Sequence, residues 1–163
     1  MNCRKVGNMP LQSGINAPEF SLPDETGKSR SLSEFLGRPL ILYFYPKDDT
    51  PGCTTEACNF RDDYSKYTQA GVTIIGVSPD TPQSHTKFKA KYGLPFPLLA
   101  DTEHKVCELY GVWGTKKNYG REYQGVFRTT FLIDDTGKIL HVFEKVKPAS
   151  HSEEILAKLE AEG

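Results

Sequence analysis

The apolar run Leu40-Ile41-Leu42-Tyr43-Phe44-Tyr45 stops at Pro46, and Thr50-Pro51 follows a few residues later. A continuous apolar run closed by a proline predicts a buried strand, and Thr-Pro predicts a helix N-cap followed by the first helical residue. The same two signals recur downstream. Val72 to Val77 is rich in β-branched residues and predicts a second buried strand, and Thr81-Pro82 opens a helix running to Tyr92 and stopped by Gly93. Strand, helix, strand, helix predicts parallel pairing through crossover helices. That pattern restricts the chain to an α/β layout with a central sheet between helical layers.

The remaining segments fill in that layout. Ala17 to Leu22 is a short extended piece, and Ser33 to Leu36 is a single helical turn before the first central strand. The first helix is expected to reach about Gln69 before Gly71. Phe96 to Leu99 is a short strand, and Glu103 to Tyr110 is a short helix containing Cys107. Thr129 to Ile133 and Ile139 to Phe143 flank Asp134-Asp135-Thr136-Gly137, which predicts a hairpin. Ser150-His151-Ser152-Glu153 has the form of a capping box, and Ile155, Leu156 and Leu159 form an apolar side on the last helix. Two parallel strands, an antiparallel hairpin and a final helix fit a thioredoxin-like fold with a central mixed sheet. Residues 14–163 are expected to form a single domain, preceded by a flexible extension over residues 1–13.

Composition excludes several classes of function. With 25% charged residues and a net charge of −1, the chain has no basic excess to attract nucleic acid. Arg4 and Lys5 are followed by no apolar stretch of signal-peptide form, and no later segment approaches the roughly 20 apolar residues that span a bilayer. Four cysteines (Cys3, Cys53, Cys58 and Cys107) are too few and too scattered for a disulfide scaffold. A soluble protein of a reducing compartment is expected.

The cysteines carry the chemistry. Thr50-Pro51-Gly52-Cys53 places Cys53 in the first helical turn. Unpaired backbone N–H groups and the helix dipole there favour negative charge, and a thiol reacts as a nucleophile only in its thiolate form. Thr81-Pro82 carries no cysteine, so the helix start alone implies no chemistry. The second cysteine, Cys58, is what distinguishes the first helix. Helical geometry sets residues five apart about 140° around the axis, with Cα atoms roughly 8–9 Å apart. A disulfide needs about 7 Å or less, so Cys53 and Cys58 can bond only if the first turns unwind. Cys53, Ala57, Phe60 and Tyr64 share the inner face, whereas Cys58 lies with Thr54, Arg61, Asp62 and Ser65 toward a polar surface.

Pro46-Lys47-Asp48-Asp49-Thr50-Pro51-Gly52-Cys53 resembles the peroxiredoxin signature Pro-x-x-x-Thr/Ser-x-x-Cys. The flanking Tyr43-Phe44-Tyr45 and Thr54-Thr55-Glu56-Ala57-Cys58 resemble the PrxQ branch, also called bacterioferritin comigratory protein. Similarity continues through Val72-Thr73-Ile74-Ile75-Gly76-Val77-Ser78, Phe96-Pro97-Leu98-Leu99-Ala100-Asp101 and Arg128-Thr129-Thr130-Phe131-Leu132-Ile133-Asp134. The resemblance implies a thiol peroxidase acting on hydrogen peroxide and organic hydroperoxides. Cys53 would be the peroxidatic and Cys58 the resolving cysteine. Thr50 would offer its hydroxyl to the sulfur and the peroxide, Pro46 would shield the pocket, and Arg128 would set a guanidinium beside the thiolate. It further implies no metal, flavin or haem, recycling by thioredoxin or a glutaredoxin-like reductant, and a cytoplasmic protein of an often monomeric branch.

Other residues receive plainer expectations. Glu56 is expected to be a solvated helix residue rather than part of the pocket edge, and Cys107 a buried small hydrophobe rather than a second resolving thiol. Cys3 is expected to be exposed and incidental. His85, His104, His141 and His151 have no ligand-like spacing and are expected to be structural or exposed. The competing function is a thiol-disulfide oxidoreductase or redox sensor, which would ordinarily carry Cys-x-x-Cys at the helix start.

Overall fold

The computed structural model describes residues 9–162; Cys3 and the first eight residues of the expected extension lie outside them. Its centre is a five-stranded sheet in the order β5-β4-β3-β8-β9, formed by β3 (Leu40–Phe44), β4 (Thr73–Ser78), β5 (Leu98–Ala100), β8 (Thr129–Ile133) and β9 (Ile139–Phe143). β3 runs parallel to β4 and β4 parallel to β5, whereas β8 is antiparallel to both β3 and β9. The mixed sheet expected from the alternation of strands and helices is present.

Every residue of β3 is buried, because its two sets of side chains enter two different cores. Leu40, Leu42 and Phe44 pack with Phe20, Leu22, Tyr110 and Phe131 on one face. Ile41 and Tyr43, with Tyr45 just past the strand, pack on the other beneath α1 (Pro51–Asp62), α2 (Tyr64–Gln69), α3 (Pro82–Tyr92) and α5 (His151–Glu162). α4 (Lys105–Leu109) covers the first face through Val106 and Cys107. β1 (Ser21–Pro23) and β2 (Ser29–Ser31) form a small antiparallel pair, followed by a 3-10 turn over Leu32–Phe35.

Two parts of the fold within residues 14–163 depart from the sequence expectation. The first helix is broken, since Asp63 at φ −95° and ψ 6° separates α1 from α2. Its carboxylate accepts the Ser152 hydroxyl at 2.7 Å, and after the break Tyr67, rather than Tyr64, becomes the fully buried aromatic. The second departure is the hairpin of β6 (Trp113–Asn118) and β7 (Arg121–Val126), which has no counterpart in the sequence reading. Lys116, Lys117, Arg121, Glu122 and Gln124 give it no apolar run, and its two-residue turn is Tyr119-Gly120 at φ 54° and 78°.

Within the stretch expected to be a flexible extension, the Leu11 N–H donates to the Tyr110 carbonyl at 3.1 Å and its side chain packs on the first core. The contacts of the folded body therefore begin before residue 14. No helix among the described residues is long and apolar enough to cross a membrane.

Candidate active site

The register of the sheet assembles the site. Phe44 at the end of β3 pairs with Thr129 at the start of β8, so Arg128 emerges at the sheet end where the chain leaves β3 for Pro46 and α1. Thr50 is the N-cap of α1, with extended backbone (φ −105°, ψ 158°), and Pro51 is the first helical residue. Cys53 is 2% exposed, with its sulfur in the core beneath α1. Arg128 Nη2 donates to Cys53 Sγ at 3.4 Å, and Nη1 donates to Glu56 Oε1 at 2.7 Å. Gly52 makes room for this approach: a Cβ there would lie 3.1 Å from Arg128 Nη2.

The other expected site residues lie on the loop before α1 and on α1 itself. The Thr50 hydroxyl donates to the Lys47 carbonyl at 2.9 Å, which closes the loop in front of α1. Pro46 is half-buried at the start of that loop. Cys58 is half-buried on the outer side of the same uninterrupted helix, and both thiols are free. The second half of α1 is tied down: Asn59 Nδ2 donates to the carbonyls of Pro148 (3.3 Å) and Ala149 (3.1 Å), and Arg61 Nη1 donates to that of Tyr92 (2.7 Å).

The chain that carries this arrangement is similar to known proteins along most of its length. The family model described as AhpC/TSA matches residues 14–142. Peroxiredoxin Bcp of Bacillus subtilis is 48% identical over 151 residues, covering 93% of this chain and 96% of that protein. The chain belongs to the AhpC/TSA family, in its Bcp (PrxQ) branch of peroxiredoxins. Peroxiredoxin Bcp of Escherichia coli is 46% identical over 147 residues, covering 90% of this chain and 94% of that one. A structure of the bacterioferritin comigratory protein of Xanthomonas campestris, described for its alkyl peroxide reduction, superposes with a TM-score of 0.85 at 36% identity, covering 92% of this chain and 98% of that one. This peroxiredoxin is accordingly a peroxidase, an oxidoreductase with the thioredoxin-like fold.

Glu56 corrects the sequence reading. It is 1% exposed and ion-paired to Arg128, not solvated. Burial pushes its carboxyl up to about 7, against the opposing pull of the Arg128 guanidinium. Among the described residues its Oε2 has no hydrogen-bond partner, and neither does the buried Tyr43 hydroxyl. Burial drives that phenol well above its ordinary range, with Glu56 and Cys53 adding to the effect. Burial also works against the charge of Arg128, but Glu56 and Cys53 outweigh it and hold the guanidinium firmly protonated. Its spacing of three from Cys53 puts Glu56 on the same side of the helix, but the Arg128 partner that accompanies its burial lies 72 residues away and is not visible from that spacing.

The β6–β7 hairpin brings a second cation toward this peroxiredoxin site. Lys116 Nζ donates to the Val126 carbonyl at 2.7 Å and lies over the Phe127 ring. Burial lowers its pKa, as does Arg128, while Cys53 acts in the opposite direction. Cys107 behaves as expected of a packing residue: it is fully buried, and burial together with Asp101 pushes its thiol far up.

Among the described residues, one group of side chains could in principle hold a metal, Asp48, Asp80 and His85. Its donors are already spoken for. His85 Nδ1 lies 2.7 Å from Asp48 Oδ2, closer than the roughly 3.3 Å that separates two ligands on one tetrahedral zinc ion. His85 and His151 are both fully buried and hydrogen-bonded, consistent with structural roles.

Proposed function

We propose that this peroxiredoxin reduces hydrogen peroxide and organic hydroperoxides through Cys53, with Cys58 completing an intramolecular cycle. The observation that carries the proposal is the 3.4 Å contact between Arg128 and Cys53 Sγ in the first turn of α1. A guanidinium at that distance favours negative charge on the sulfur and is placed to stabilise charge that moves onto the peroxide oxygens.

The Cys53 thiolate attacks one peroxide oxygen, the O–O bond breaks, and the departing oxygen takes a proton to leave as water or an alcohol. Cys53 becomes a sulfenic acid. Thr50, whose hydroxyl rests on the Lys47 carbonyl, serves the peroxide after a rotation of its side chain. Pro46 screens the site from water. Cys58 then attacks the sulfenic sulfur, releasing water and forming the disulfide. The distance across an intact helix forbids that bond, so the first turns of α1 unwind while Asn59 and Arg61 keep its second half in place. Thioredoxin, or a glutaredoxin-like dithiol, attacks the disulfide, takes up the two-electron oxidation as its own disulfide and returns both thiols. A cytoplasmic, monomeric enzyme suits this cycle, which needs no residue from a second chain.

The test is a thioredoxin-coupled peroxide assay with intact-mass mapping of the disulfide. Cys53→Ser is expected to abolish peroxide consumption. Cys58→Ser is expected to allow one oxidation and block recycling. Turnover in Cys53→Ser would overturn the assignment of the nucleophile, and sustained recycling in Cys58→Ser would overturn that of the resolving thiol.

A further inference from the structure

Two residues before Thr50, the Asp48 carboxylate is buried and hydrogen-bonded at both oxygens, by Tyr45 just upstream and by two residues of α3. The Tyr45 hydroxyl donates to its Oδ1 at 2.6 Å, and the Ser84 hydroxyl donates to its Oδ2 at 2.8 Å. His85 Nδ1 meets Oδ2 at 2.7 Å, with side-chain exposures of 0% for His85 and 3% for Asp48. The Asp48 backbone N–H donates to Asp80 Oδ2 at 2.8 Å. His85 Nε2 lies 2.9 Å from the Leu99 carbonyl, which can only accept, so Nε2 carries a proton and faces β5. One further proton lies between Nδ1 and Oδ2, and removing either partner would strand the other in the core.

We infer that Asp48 and His85 are positioning residues that latch the loop of residues 46–50 onto α3, holding Thr50 and the first turn of α1 in the peroxide-reactive geometry. The inference rests on the proposed peroxidase function. Asp49, next to the latch, has a left-handed backbone at φ 57°, which a residue with a side chain keeps only when its surroundings hold it. Its own ties, to Lys91 at 2.9 Å and Tyr92 at 2.8 Å, are exposed and screened by solvent. The buried tie therefore falls to Asp48. With Asn59 and Arg61 fixing the far end of α1, the latch confines unwinding to the stretch between the two anchors, which contains Cys53 and Cys58.

Two substitutions separate the two ring nitrogens. His85→Asn keeps an amide donor near the Nδ1 position and gives up the Leu99 contact; His85→Gln does the reverse. Both are made in the full chain on a Cys58→Ser background, and Cys53 oxidation by hydrogen peroxide is followed by stopped flow below the melting temperature of each variant. Loss of the latch in His85→Gln is expected to slow oxidation by about tenfold or more, while His85→Asn stays within about threefold of its parent. Amide exchange across the first turn of α1, at Cys53 and Thr54, is expected to rise in His85→Gln alone. Equal effects in both variants, no effect in either, or the reverse order would overturn the latch. A parent that reacts with peroxide no faster than free cysteine would instead overturn the peroxidase reading, and the exchange pattern would still decide whether the latch exists. If His85→Gln does not fold, Ser84→Ala removes the other α3 side-chain donor to Asp48, at 2.8 Å: slowed oxidation supports the latch, and an unchanged rate overturns it.

Discussion

Replacing Glu56 by glutamine is expected to make the protein more stable at alkaline pH and to leave it unchanged in acid. Glu56 is buried beside Cys53 and titrates near 7 in the folded chain, against 4.5 for a free carboxyl. A group whose folded pKa is raised contributes stability below its unfolded pKa, and that contribution is lost as pH rises through the folded value. For Glu56 the loss runs from about 4.5 to above 7 and amounts to about 3 kcal/mol. Below pH 4.5 the protonated carboxyl and the glutamine amide are both neutral and of similar shape, so the two proteins should melt together. At pH 8 Glu56→Gln should melt roughly 6–12 °C higher. Taking the difference between the proteins at each pH cancels the titrating groups that do not interact with Glu56. Chemical denaturation across pH 4.5 to 8.5 gives the same quantity in free energy. A flat difference, or one in which the glutamine protein loses ground as pH rises, would refute the reasoning, because it would mean that the Arg128 attraction outweighs the burial of the charge. Unwinding of α1 frees the same carboxyl, so the opening proposed to precede disulfide formation should also become easier with rising pH in the native chain and less so in the variant.

Two glycines offer independent checks. Gly52→Ala would set a Cβ 3.1 Å from Arg128 Nη2 and push the guanidinium off Cys53; stability should stay within about 1 kcal/mol, because alanine is the better helix former. The second-order rate with peroxide should fall about tenfold, since the donor to the proposed nucleophile Cys53 is displaced; an unchanged rate would refute the role given to that contact. Gly111→Ala would place a Cβ 2.0 Å from the Met9 carbonyl oxygen at a φ of +75°. It should release residues 9–12 from the body and make the Leu11 amide exchange freely, and continued protection of that amide would show that the segment is held by something else.

The parts of this structure that were legible in the sequence are those whose causes are local. β3 and α1 follow from an apolar run, a proline and a Thr-Pro start, and the inward direction of Cys53 follows from its spacing to Ala57 and Phe60. The β6–β7 hairpin was illegible because its strands are polar and their pairing depends on left-handed residues at Tyr119 and Gly120. Glu56 and Asp48 were illegible for a different reason. Hydropathy assigns a carboxylate to solvent, and each is buried only because a distant segment supplies its counterpart: Arg128 for Glu56, and His85 for Asp48. Those counterparts arrive through the sheet, Arg128 through the antiparallel register of β8 on β3 and His85 through the crossover from β4 to α3. Cys53 could therefore be placed from its own helix. The charges that hold it in position are a product of topology, and only a folded chain brings them together.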